Sequence, residues 1–73
     1  MSPTEFLAAR ERLGLSQVEV ARFLGKGDRI IRRYEHGQTP VPRETAMLLR
    51  LMLKMHLTPA MVTGMTEAAP DRS

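Results

Sequence analysis

A chain of 73 residues makes one domain, and a domain of that size buries only about 60% of the surface its unfolded chain exposes, so it needs an efficient core or a partner subunit. The lack of cysteine excludes a disulfide framework and a thiolate metal site, and the longest apolar stretch, Ala46 to Leu57, is too short to span a bilayer and is broken by Arg50, Lys54 and His56. Eleven Lys and Arg against eight Asp and Glu leave a net charge of +3, an excess whose placement says more than its size.

The beginning of the chain has no basic, apolar and small-residue run of a signal peptide, so a cytoplasmic protein is expected. Ser2 as N-cap puts Pro3 at the first helical position and Glu5 at the third, the pattern of a capping box. Phe6, Leu7, Ala9, Arg10 and Leu13 follow at helical spacing, and Gly14 supplies a stop. A second capping box, Ser16 with Glu19, opens a helix predicted over 17–24. A third helix is predicted over 28–36, with Asp28 in its first turn and Gly37 as its stop. A fourth runs from about Pro42 or Arg43 to about His56. Thr58 caps a short fifth with Pro59 at its first position, and the run after Gly64 is expected to fray. Strand-like alternation is missing throughout, so the fold class is all-α, a bundle of four or five helices. The domain is placed at residues 1–66 and a flexible tail at 67–73.

The connection between the second and third helices is only Gly25-Lys26-Gly27, which forces a steep crossing. Ala21 is small enough for close approach, Gly25 tolerates the sharp turn, and Ile31 points back into the angle. A small residue, a turn glycine and a β-branched residue at that spacing are what a helix-turn-helix corner requires.

At these residues the sequence resembles the Cro and phage-repressor type of helix-turn-helix protein, also called the xenobiotic-response-element class. The likeness runs from about Phe6 to Pro42. It is carried by Leu13-Gly14-Leu15-Ser16-Gln17, Ala21-Arg22-Phe23-Leu24-Gly25, Ile31-Arg32-Arg33-Tyr34-Glu35-His36-Gly37 and Val41-Pro42. Two positions depart from it: Lys26 stands where the class is usually apolar, and Gly27 where it has Ser or Thr. Lys26 is expected to be exposed, toward phosphate. The stretch from Gly27 to Arg32 also looks like small phage regulators associated with anti-CRISPR operons. The resemblance implies a lambda-repressor-like DNA-binding domain, a phosphate contact at Gln17 and a basic residue near the DNA backbone at Arg43. It further implies a structural pair between Arg10 and Glu35.

At 100° per residue Ile31, Tyr34 and Glu35 share one side of the third helix. Arg29 and Arg33 take the opposite side, flanked by Arg32 and His36. Like charges one turn apart destabilise a lone helix, which points to an anion in front of them. Arginine bonds guanine O6 and N7 bidentately in the major groove, so Arg29 in the first turn is the expected base reader. Ile30 is placed to touch a thymine methyl, and Asp28 serves the helix dipole or a cytosine amino group. The histidines His36 and His56 stand alone without metal-ligand spacing, and no catalytic constellation, cofactor motif or small-molecule site is expected.

The fourth helix is apolar over about 240°, more than the stripe of roughly 100° that one core needs. Arg43, Met47, Arg50 and Lys54 share a narrow face. Ala46, Leu49, Leu53 and Leu57 lie to one side, and Leu48, Leu51, Met52 and Met55 to the other. The second group is assigned to a homodimer interface, with the fifth helix as the alternative cover. The reading is a DNA-binding regulator, a homodimeric repressor on an inverted-repeat operator. The alternatives are an antitoxin that also binds a toxin, or an interaction module that has lost DNA binding.

Overall fold

Ser2 caps the first helix by accepting the Glu5 N–H on its hydroxyl at 3.1 Å, and Pro3 follows with its φ already suited to a helix. The computed structural model describes residues 1–67. These form five helices and, among the described residues, no strand. In chain order they are α1 (Pro3–Arg12), α2 (Gln17–Leu24), α3 (Asp28–Glu35), α4 (Arg43–Lys54) and α5 (Pro59–Glu67). The all-α architecture agrees with the sequence reading. The third and fourth helices stop one or two residues earlier than expected, and α5 continues past Gly64 to Glu67. The rest of the expected tail, 68–73, lies outside the described residues.

Only one of the two expected capping boxes is complete. Ser16 Oγ accepts the Glu19 N–H at 3.1 Å while Glu19 Oε1 accepts the Ser16 N–H at 2.8 Å. At Ser2 the return interaction with the backbone N–H is only a minor one, because Glu5 is drawn to α4. Arg50 donates to it from Nε at 2.9 Å and from Nη2 at 3.0 Å.

The ends of α1 to α4 share one geometry. After α4 the Leu57 N–H reaches the Met52 carbonyl at 2.8 Å and the His56 N–H reaches that of Leu53 at 3.4 Å, the paired bonds of a Schellman motif. That motif needs a left-handed residue. Glycine supplies it after α1, α2 and α3, but here it is His56, at φ 56°. A side chain makes this conformation costly, and the paired bonds that close α4 after Lys54 hold it in place.

The core gathers around α3. Phe6 and Ala9 of α1, Val20 and Ala21 of α2, Ile31 and Tyr34 of α3 and Leu49 of α4 are all buried. Phe6 and Tyr34 meet edge to face with ring centroids 5.4 Å apart. Full burial of side chains such as Phe6, Ile31 and Leu49 stabilises by about 1.5–3 kcal/mol each.

Helix α4 resolves its excess of apolar residues in a way that corrects one expectation. Met52 does not belong to an outer face; it is fully buried beside Thr45, Ala46 and Leu49. It lies three residues after Leu49, so it shares the inward arc. Leu51 and Met55 are 54% and 59% exposed, Met47 is 57% exposed, and Leu48 is half-buried. Thr58 caps α5 by accepting the Met61 N–H at 3.1 Å, yet α5 leaves this outer face of α4 open.

Candidate nucleic-acid interface

The corner between α2 and α3 is built from the three residues the sequence singles out. Ala21 and Ile31 are buried where the helices meet, and Gly25 turns the chain at φ 70°. The Lys26 N–H bonds back to the Ala21 carbonyl at 2.8 Å, closing α2 before the chain can drift. α3 then starts at Asp28 without a side-chain cap, since Gly27 has none to offer.

This packing gives α3 two unlike sides. Ile31 and Tyr34 are buried, and Ile30 is half-buried against the margin of the core, which leaves only part of its side chain open. Asp28, Arg29, Arg32, Arg33 and His36 are exposed. Two ion pairs occur among the described residues, Arg10–Glu35 and Glu5–Arg50, and neither involves an arginine of α3. Arg29 and Arg33 repel each other by about 0.2–0.5 kcal/mol at their spacing of one turn. Burial on the opposite side holds the helix in spite of it. The outcome is three unneutralised guanidinium groups on an eight-residue helix, the donor set suited to phosphates and guanine edges.

Behind α3 a polar network fixes its position. Arg10 Nε donates to Glu35 Oε2 at 2.6 Å, and Arg10 Nη1 donates to the Leu15 carbonyl at 2.9 Å. The other oxygen, Oε1, accepts from Gln17 Nε2 at 2.8 Å. The Arg10 and Glu35 side chains are 13% and 8% exposed. One carboxylate therefore ties α1, the first residue of α2 and the last residue of α3. Gln17, read from the resemblance as a phosphate contact, has its amide directed inward to Glu35. Arg43 is exposed at the start of α4. Lys26 is half-buried rather than fully exposed, because it lies in the tight turn beside α2.

Two carboxylates are held below the ordinary range. The Arg50 side chain does this for Glu5, and the Ser16 N–H does it for Glu19. Neither lies on α3. Among the described residues no cluster of His, Asp and Glu fits a metal ion, and no helix is long and apolar enough to cross a membrane.

The family model described as helix-turn-helix matches residues 7–59, which spans all of α1 but its first turn, the corner, and α4. The chain belongs to the helix-turn-helix family. Its likeness is to the Cro and phage-repressor type, whose members are DNA-binding regulators rather than enzymes. No curated protein and no solved structure matches the chain significantly. In this helix-turn-helix protein the matched region takes in both helices of the corner, α2 and α3. The link from Gln17 to Glu35 escaped the sequence reading, because periodicity places both residues on helices but says nothing about how helix ends meet. The tie from Glu5 to Arg50 escaped it too, since Glu5 had a local role that appeared sufficient.

Proposed function

We propose that the protein is a homodimeric repressor that occupies an inverted-repeat operator with one α3 in the major groove of each half-site. The observation that carries this reading is the exposed set of Arg29, Arg32 and Arg33, none of them in an ion pair among the described residues, on a helix whose other side is locked into the core. The first turn of such a helix reaches deepest, so Arg29 reads a base and Arg33 supports it from the next turn. Lys26 and Arg43 serve the backbone at the two edges. A regulator that simply covers an operator acts by blocking polymerase, and control of its own operon is the simplest arrangement. A homodimer fits because two recognition helices related by a two-fold axis match a palindrome.

The test is a gel shift and fluorescence anisotropy titration with the upstream region of its own gene. Arg29→Ala loses about 1–3 kcal/mol on the native operator and relaxes preference at one base pair of each half-site. Equal loss on specific and random DNA contradicts the role given to Arg29. A second reading, an antitoxin, draws on the exposed methionines of α4 and α5, which lie away from the α3 arginines in sequence and are free to hold an unlike protein.

A further inference from the structure

The outer face of α4 is apolar in the middle and oppositely charged at its ends. Taking Leu51 as the reference at 100° per residue, Glu44, Met47, Leu48, Lys54 and Met55 all fall within about 60° of it. Of these six only Leu48 is half-buried; the rest are exposed. The buried residues Thr45, Ala46, Leu49 and Met52 occupy the far side. Glu44 stands in the first turn and Lys54 in the last.

Neither end charge is used within the described chain. Glu44 has Met47 and Leu48 at the positions three and four residues on, and Lys54 has Leu51 and Arg50 at the positions three and four residues back. Helical neighbours therefore offer neither a counter-charge. Arg50, the other cation beside the groove lined by Glu44, Met47, Leu48 and Leu51, is already forked onto Glu5.

We infer that this face binds a second copy of the chain, with the two α4 helices antiparallel, Met47 and Leu48 of each against Leu51 of the other, and Glu44 of each paired with Lys54 of the other. Charge decides the direction. A parallel pair would set Glu44 on Glu44 and Lys54 on Lys54, whereas the antiparallel pair brings opposite charges together twice. It also sets the acidic first turn of one helix beside the basic last turn of its neighbour, in register with both helix dipoles. A two-fold interface must be self-complementary, and this stripe is. The inference rests on the homodimer of the proposed function and adds its direction and its specifying contacts.

The experiment is sedimentation equilibrium of the full chain, repeated at low and high salt. Glu44→Lys and Lys54→Glu each raise the dimer dissociation constant at least tenfold, since each places two like-charge contacts in the interface, and salt narrows the difference. The two changes together restore most of the loss by re-forming the pairs in reverse. Far-ultraviolet circular dichroism checks that each variant is folded. Glu44→Gln and Lys54→Gln, which create no repulsion, serve if a reversal unfolds the chain; each then weakens the dimer several-fold. A wild-type chain that stays monomeric at tens of micromolar, with and without operator DNA, overturns the homodimer itself. A wild-type dimer indifferent to both single changes, or a double variant no better than either, overturns the antiparallel pairing and leaves the dimer standing.

Discussion

Replacing Glu35 by alanine is expected to damage the fold more than any other removal of a single charge. The carboxylate is 8% exposed and accepts from both Arg10 and Gln17, so its loss strands a guanidinium that is itself only 13% exposed. Removing one partner of a buried pair costs about 3–5 kcal/mol. Arg10 keeps its bond to the Leu15 carbonyl and some access to water, which places this case near the lower end, at about 3 kcal/mol. For a domain of this size each kcal/mol moves the melting temperature by about 4–8 °C, so a fall of roughly 12–24 °C is expected. Thermal melts followed by circular dichroism measure it, with Glu11→Ala as the exposed reference on α1. A double-mutant cycle with Arg10→Ala separates the pair from the lost packing. Melting temperatures for Glu35→Ala and Glu11→Ala that agree within a few degrees would refute the idea that this network holds α1, α2 and α3 together.

Two further outcomes follow from the helix ends. His56→Gly relieves a left-handed conformation that a side chain tolerates poorly and raises stability by about 0.5–1 kcal/mol; an unchanged or lower denaturation midpoint counts against the strain. Glu5 and Glu19 have folded pKa values below their unfolded ones, so their contribution is complete above the unfolded carboxylate range near 4.5 and is lost as pH falls through the lower folded values. Glu19→Gln is therefore expected to flatten the acid side of a plot of melting temperature against pH, and a slope equal to that of the wild type would contradict this.

The corner and the helix starts were legible because each rests on local chemistry. Ser16 and Glu19 announce a helix start, and Ala21, Gly25 and Ile31 announce the crossing by size, backbone freedom and branching. The two sides of α3 followed from periodicity once Ile31 was fixed inward. Helix α4 was harder for a physical reason. With apolar residues around most of its circumference, periodicity cannot say which arc faces the core, and Met52 went to the wrong side. Met47 was grouped with the charges, although it flanks Leu51 on the open face. The bond made by Gln17 was hidden for the opposite reason: the residue type and its place at a helix start are plain, and only the meeting of two helix ends reveals the carboxylate that takes its amide.

The contrast between the two sides of α3 bears on the entropy of binding. Its backbone is immobilised from behind by Ile31, Tyr34 and the carboxylate of Glu35, while the guanidinium tips of Arg29, Arg32 and Arg33 hold no partner among the described residues. Association then has no helix to order. What remains to be frozen is side-chain rotamer freedom, at most about 2 kcal/mol for each arginine that docks. In the proposed complex such a helix would act as a rigid shaft with adjustable tips: its placement in the groove would be common to every site, and discrimination between sites would reside in which tips find a stationary partner.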